Sequence, residues 1–255
     1  MCTNKLFVLV LAFVLGTGSL AIAQQDKDST VRKNTIKLDL TSYGLYRNAA
    51  MFSYERVAKN NPNQTWSVTA GYQQFPALGG TGMGSINVKK ESKAAGFKLG
   101  GEYRFYLAKE NKYKAPRGVY IGPYTSFHRY SNSRSLEVNN NGLIEYADLK
   151  TDIAIFNIGF QLGYQFVLNN RWTIDMVLIG PSVSNYSLRS TMDGNYTFNA
   201  DDVTNEVLKA LMNKFPAFEQ LISESEFVTN GRASSWGLGY RYQFHLGYHF
   251  GRKRK

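Results

Sequence analysis

The chain of 255 residues contains one cysteine, three histidines and six prolines. The cysteine, Cys2, lies inside an expected secretory signal, so the processed chain carries no thiol. That excludes disulfides, thiolate metal sites and cysteine nucleophiles. Three histidines without acidic clusters beside them do not make a ligand set, so neither metal nor cofactor is expected. Mean hydropathy is −0.33, and no helical membrane span is expected beyond the N-terminal apolar run. The glycine-rich stretch Gly79 to Ser85 lacks the Gly-Lys-Ser/Thr ending and following helix of a phosphate loop, and reads as a loop.

Met1 to Ala23 has the three parts of an export signal: Lys5, the apolar run from Leu6 to Leu15, and Ala21-Ile22-Ala23 before Gln24. The net charge is +11. Export argues against nucleic acid as a partner, and the scattered Lys and Arg are expected in turns and at lipid headgroups. Seventeen Tyr and sixteen Phe suit aromatic girdles at membrane interfaces.

The last strand carries the strongest pattern. Trp236, Leu238, Tyr240, Tyr242, Phe244, Leu246, Tyr248 and Phe250 share one parity, and Ser235, Gly237, Gly239, Arg241, Gln243, His245, Gly247 and His249 share the other. Successive strand side chains point to opposite faces. A wholly apolar, ring-rich face opposite small and polar groups is the pattern of a membrane barrel, rings to lipid and polar groups to the lumen. The same alternation places Trp66, Tyr72, Phe97, Tyr103 and Phe105 outside.

Eight strands are expected, at about 36–46, 49–57, 65–75, 94–107, 118–130, 152–168, 171–181 and 233–250. The facing of 171–181 is open, because it is apolar on both sides except at Asp175. Turns 59–64, 108–117 and 169–170 are short and assigned to the periplasmic side. Loops 76–93, 131–150 and 182–232 are longer and assigned to the outside, where any extracellular ligand is expected to meet them. Within 182–232, Val203, Val207, Leu208, Leu211, Met212 and Phe215 recur at helical spacing, giving an amphipathic helix expected to pack over the rim. The expected organisation is a signal peptide at 1–23, a periplasmic segment at 24–35, a barrel at 36–250 and a basic tail at 251–255.

The inward parity collects Lys37, Asp39, Glu55, Lys98, Glu102, Arg104 and Arg241, with Asp175 added. In an eight-stranded lumen these charges should pair into a plug. A narrow gated channel is the alternative. Ser126 and His128 share a face two residues apart, and raise an outer-membrane lipid hydrolase as a second alternative. A soluble periplasmic lipocalin-like carrier is a third. No catalysis is the favoured expectation.

Leu99-Gly-Gly-Glu-Tyr-Arg-Phe-Tyr-Leu107 and Gly118-Val-Tyr-Ile-Gly-Pro-Tyr124, with Tyr54-Glu55-Arg56 and the closing Gly247-Tyr248-His249-Phe250, resemble a family of small Gram-negative outer-membrane barrels defined only as a domain of unknown function. The resemblance spans about Lys37 to Phe250. It implies an outer-membrane eight-stranded barrel and transfers no catalytic residues. Ser235-x-Gly237-x-x-Tyr240-x-Tyr242 fits the insertion signal of such barrels. The terminal frame ending Tyr248-x-Phe250 has His245 where glycine is expected. The sequence thus leads to an all-β, eight-stranded antiparallel transmembrane up-and-down barrel with a helical insertion in its last extracellular loop. It is expected to be a monomer, to sit in the cell outer membrane and to have membrane lipid as its surroundings.

Overall fold

The computed structural model describes residues 32–74, 86–111, 113–140, 143–194 and 231–251. The signal segment, loop 76–85, the amphipathic helix within 195–230 and the tail beyond Gly251 fall outside them. Ten strand segments follow in order: β1 (Asn34–Asp39), β2 (Arg47–Val57), β3 (Gln64–Gln74), β4 (Ile86–Tyr106), β5 (Gly118–Asn140), β6 (Leu143–Leu168), β7 (Trp172–Ile179), β8 (Pro181–Asp193), β9 (Arg232–Tyr240) and β10 (Gln243–Phe250). A short helix, α1 (Leu40–Leu45), stands between β1 and β2.

β7 and β8 form one stave, as do β9 and β10, so the segments make eight staves. Each pairs antiparallel with its neighbours, and β1 pairs with β10 to close the cylinder. One circuit of paired residues runs Thr35, Glu55, Ser67, Glu102, Tyr124, Gly159, Ser182, Gly239. Thr35 itself pairs with His249, ten residues beyond Gly239. Eight staves with a stagger of ten tilt the strands by about 40° and leave a lumen wide enough only for side chains.

Local chemistry accounts for the reversals. Asn169 and Asn170 both take positive φ, 49° and 55°, as a type I′ hairpin requires, and Arg171 N–H donates to Leu168 O at 3.0 Å. Asp39 ends the first strand by capping α1: its carboxylate accepts from Ser42 N (3.0 Å) and Ser42 Oγ (2.6 Å). The first stave therefore stops at Asp39, not at Tyr46 as the alternation alone implies.

The outward extensions also differ from expectation. Residues 131–140 and 143–150 are not loop but a continuous ladder, Asn140 paired with Leu143 down to Gly118 with Gln165. β4 begins at Ile86 rather than Ala94, and β8 continues as strand to Asp193, within the stretch expected as loop. In these extensions exterior positions carry Asp148, Lys150 and Arg189, all exposed. Apolar-out alternation fades where the outer face turns charged, and with it the strand signal. The seventh stave also acquires a definite facing. Thr173, Asp175 and Val177 point inward, then Leu178 and Ile179 are exposed consecutively at 50% and 48%. A register shift there inserts one extra residue and flips the parity, so that Ser182, Ser184 and Leu188 face in.

Candidate functional site

The interior is polar and the exterior apolar. Trp66, Tyr72, Phe97, Phe105, Trp236, Tyr240, Tyr242 and Phe250 are exposed on the outer wall, with Tyr103, Phe244 and Tyr248 half-buried among them. Between Phe97 and Phe105 the band spans about 27 Å along the strand, or about 20 Å along the barrel axis at this tilt. Ring contacts knit its lower edge: Tyr54 with Trp66 at 5.6 Å, Tyr103 with Phe105 at 5.1 Å, Tyr164 with Phe166 at 4.4 Å, and Trp172 with Tyr248 at 5.6 Å.

All eight ionisable residues singled out in the sequence point into the lumen, but they do not form one network. Six are continuous, at the end nearest the chain termini. Lys37 Nζ sits 2.7 Å from Glu55 and 2.6 Å from Asp175. Arg104 lies 2.8 Å from Asp175 and 2.6 Å from Glu102, with its guanidinium 4.3 Å above the Tyr120 ring. Arg241 extends the chain, 3.0 Å from Glu102 and stacked 3.5 Å over Tyr124. Lys98 and Asp39 stand apart, 3.8 Å from each other, and Asp39 is engaged as the helix cap.

Neutral groups complete the lower cluster. Tyr120 Oη donates to Asp175 at 2.7 Å, Thr65 Oγ1 to Glu55 at 2.6 Å, and Tyr106 Oη to Glu55 at 3.1 Å. Gln165 Oε1 accepts from Lys37 at 3.0 Å and from Arg104 at 3.3 Å, and Gln161 donates to Glu102 at 3.0 Å. His245 lies 3.7 Å from Asp175. Every stave thus contributes a side chain. Gly163 makes room: a methyl there would run into Tyr120 Oη and Cζ. Tyr106, Tyr120, Gln161 and Gln165 were missed because they are not charged. Their parity was the available signal: Tyr106 shares that of Arg104, Tyr120 that of Gly122, and Gln161 and Gln165 that of Gly163.

Toward α1 the lumen opens into a cavity of about 220 Å³, bordered by Ser42, Lys98, Ser126, His128, Asn157, Ser182 and Arg241 among others. Ser126 Oγ and His128 Nε2 are 3.3 Å apart, as their spacing allows. The other imidazole nitrogen, Nδ1, shares a hydrogen bond with the Gln73 side-chain amide at 2.9 Å. The Ser126 hydroxyl also accepts from Asn157 Nδ2 at 3.0 Å. In a serine hydrolase a carboxylate holds Nδ1, whereas here Nδ1 meets the Gln73 amide and, at 3.4 Å, the Tyr130 hydroxyl. Among the described residues no group of His, Asp and Glu is arranged to hold a metal ion.

These features define a closed eight-stranded barrel with an apolar outer wall and an ion-paired interior. The chain belongs to the family DUF3575, proteins of unknown function, whose pattern it matches over residues 11–186. No curated protein matches it significantly. Among solved structures it is similar to a major outer membrane protein from Thermus thermophilus, at 11% identity and a TM-score of 0.37, over 86% of this chain and 98% of that one.

Proposed function

We propose that this chain is an outer-membrane barrel of a Gram-negative cell, with a structural or surface-binding role and a lumen closed by its ion pairs. One observation carries the proposal: the wall is apolar outside and charged inside, the reverse of a soluble barrel. In water the exposed band would be an aggregation surface, whereas in hydrocarbon it is solvated. A closed ladder also leaves few backbone groups unpaired in lipid. A soluble carrier would need the opposite facing.

The lower cluster supports a closed lumen rather than a channel, because its side chains interlock across the full width. The outward extensions of β4, β5, β6 and β8, which carry the loops, are where an extracellular ligand would bind. Catalysis is not proposed, since among the described residues the groups beside His128 Nδ1 are the Gln73 amide and the Tyr130 hydroxyl rather than the carboxylate that orients a general base. Planar-bilayer recording of the refolded protein tests the closed lumen. Silence is the expected result, and steady openings that change when Glu102 or Arg104 is neutralised would overturn it. Ester or glycolipid turnover abolished by Ser126→Ala would overturn the non-catalytic assignment.

A further inference from the structure

The first and last staves do not meet along their whole length. β1 stops at Asp39, and the residues that would continue it coil into α1. Among the described residues β10 pairs with β1 and β7, whereas β9 pairs with β8 alone. On the other flank, β1 reaches only as far as Phe52 of β2, and Ala50 and Met51 pair with β3 alone. The wall here is closed by α1 rather than by an inter-strand ladder. Two polar contacts hold α1 to the last stave: Phe244 N–H donates to Thr41 Oγ1 at 2.7 Å, and Gln243 Nε2 to Asp39 at 3.2 Å.

The cavity of about 220 Å³ ends at this seam. Leu45, Tyr240 and Tyr242 border it, yet are 54%, 61% and 56% exposed on the outer surface. The cavity thus reaches the stretch of wall where these exposed residues stand. Its outer mouth is apolar and its inner end holds Lys98.

Lys98 is only 6% exposed, and its ammonium makes no hydrogen bond to any described residue. Its one carboxylate contact, at 3.8 Å, is to Asp39, whose oxygens already accept from Ser42 and Gln243. An ammonium carries three donors, and burying it without acceptors is strongly unfavourable. Lys37, in the same lumen, has two carboxylates within 2.7 Å.

We infer that the seam is a lateral port through which a single-chain anionic amphiphile enters from the bilayer. Its acid head rests on Lys98, and its chain runs out between Leu45 and Tyr240–Tyr242. A carboxylate or phosphate monoester supplies the acceptors Lys98 lacks. A two-chain lipid is too bulky for the cavity. The inference rests on the membrane placement proposed above.

The test is binding of the fluorescent fatty acid cis-parinarate to the full chain refolded in dodecyl maltoside. Saturable fluorescence above that of micelles alone is expected, reversed by palmitate or lysophosphatidate. Stronger competition by palmitate identifies a carboxylate head, and stronger competition by lysophosphatidate a phosphate. Lys98→Met should weaken binding at least tenfold, whereas Lys98→Arg keeps it within about threefold. Leu45→Glu, an exposed position at the mouth, should also weaken it at least tenfold, and decides the matter if Lys98→Met fails to show heat-dependent gel migration. No saturable binding by wild type, or wild-type affinity in these variants, overturns the port. Cell fractionation separates the two proposals: binding by a protein found in the soluble periplasm would uphold the amphiphile site at Lys98 but sink the membrane placement and, with it, entry from the bilayer.

Discussion

Lys37 and Lys98 point into one lumen from staves that also share one outer wall, yet they live differently. Lys37 is clamped by Glu55 at 2.7 Å and Asp175 at 2.6 Å, whereas the nearest carboxylate oxygen to Lys98 is 3.8 Å away. The end of the barrel nearest the termini is filled with interlocking ions, and the end nearest α1 encloses a cavity. The comparison teaches that a narrow barrel need not be uniform. The stagger of ten brings side chains from all eight staves together at one level, while the early end of β1 removes a stretch of wall at another.

The largest expected effect comes from Asp175→Ala. It removes the carboxylate that Lys37, Arg104 and Tyr120 share and leaves two buried cations short of a partner. A loss of about 3–5 kcal/mol is expected, read from the urea midpoint of the detergent-folded barrel. If the midpoint barely moves, the lower end is not the stabilising core.

Next, the outer wall can be divided by one substitution at two heights. Leu99 and Ile144 are similarly exposed, 51% and 56%, but Ile144 lies beyond the exterior charges Asp148 and Lys150. Leu99→Arg should cost about 2–4 kcal/mol when folding is measured in lipid vesicles. Ile144→Arg should stay within about 0.5 kcal/mol, as an ordinary surface change does. Equal costs would mean that the apolar band ends elsewhere.

A smaller contrast tests the interior the same way. Gly163→Ala drives a methyl into the packed Tyr120 ring and should cost about 1–3 kcal/mol. Gly239→Ala meets first the hydroxyls of Ser184 and Ser182, which can rotate, and Ser182 borders the cavity, so less than about 1 kcal/mol is expected from the same denaturation measurement. The smallest effect is that of Ser126→Ala. It removes hydrogen bonds to Asn157 and His128 at the edge of an open space and should lower stability by about 0.5–1.5 kcal/mol.

Much of the fold was legible because strand facing is a local property. Trp236 to Phe250 alternate without interruption, and all eight predicted lumen ions do face inward. What misled was equally local. The extensions of β5, β6 and β8 mix polar residues with apolar ones such as Ile144 and Tyr146 on the outer face, so the stretches Ser131 to Lys150 and Ser182 to Asp193 read as loop. Leu40 to Leu45 kept the appearance of strand, although Asp39 and Ser42 supply the cap that turns them into helix. The Ser126–His128 contact was visible at two-residue spacing. Gln73 and Asn157, which set its chemistry, come from other strands.

Outside the seventh stave, which side chains face in and which face out is already written in the amino-acid order, because alternation with a period of two needs no knowledge of neighbours. The same order likewise determined the short turns, through residues such as Asn169 and Asn170 that accept positive φ. Only the tertiary structure decided which lumen charges meet, since partners such as Arg104 and Asp175 are brought together by the stagger of the closed cylinder. It also decided the facing of the seventh stave, through the bulge at Leu178, and left Lys98 beside a space rather than a carboxylate. Those are properties of closure, and no single strand contains them.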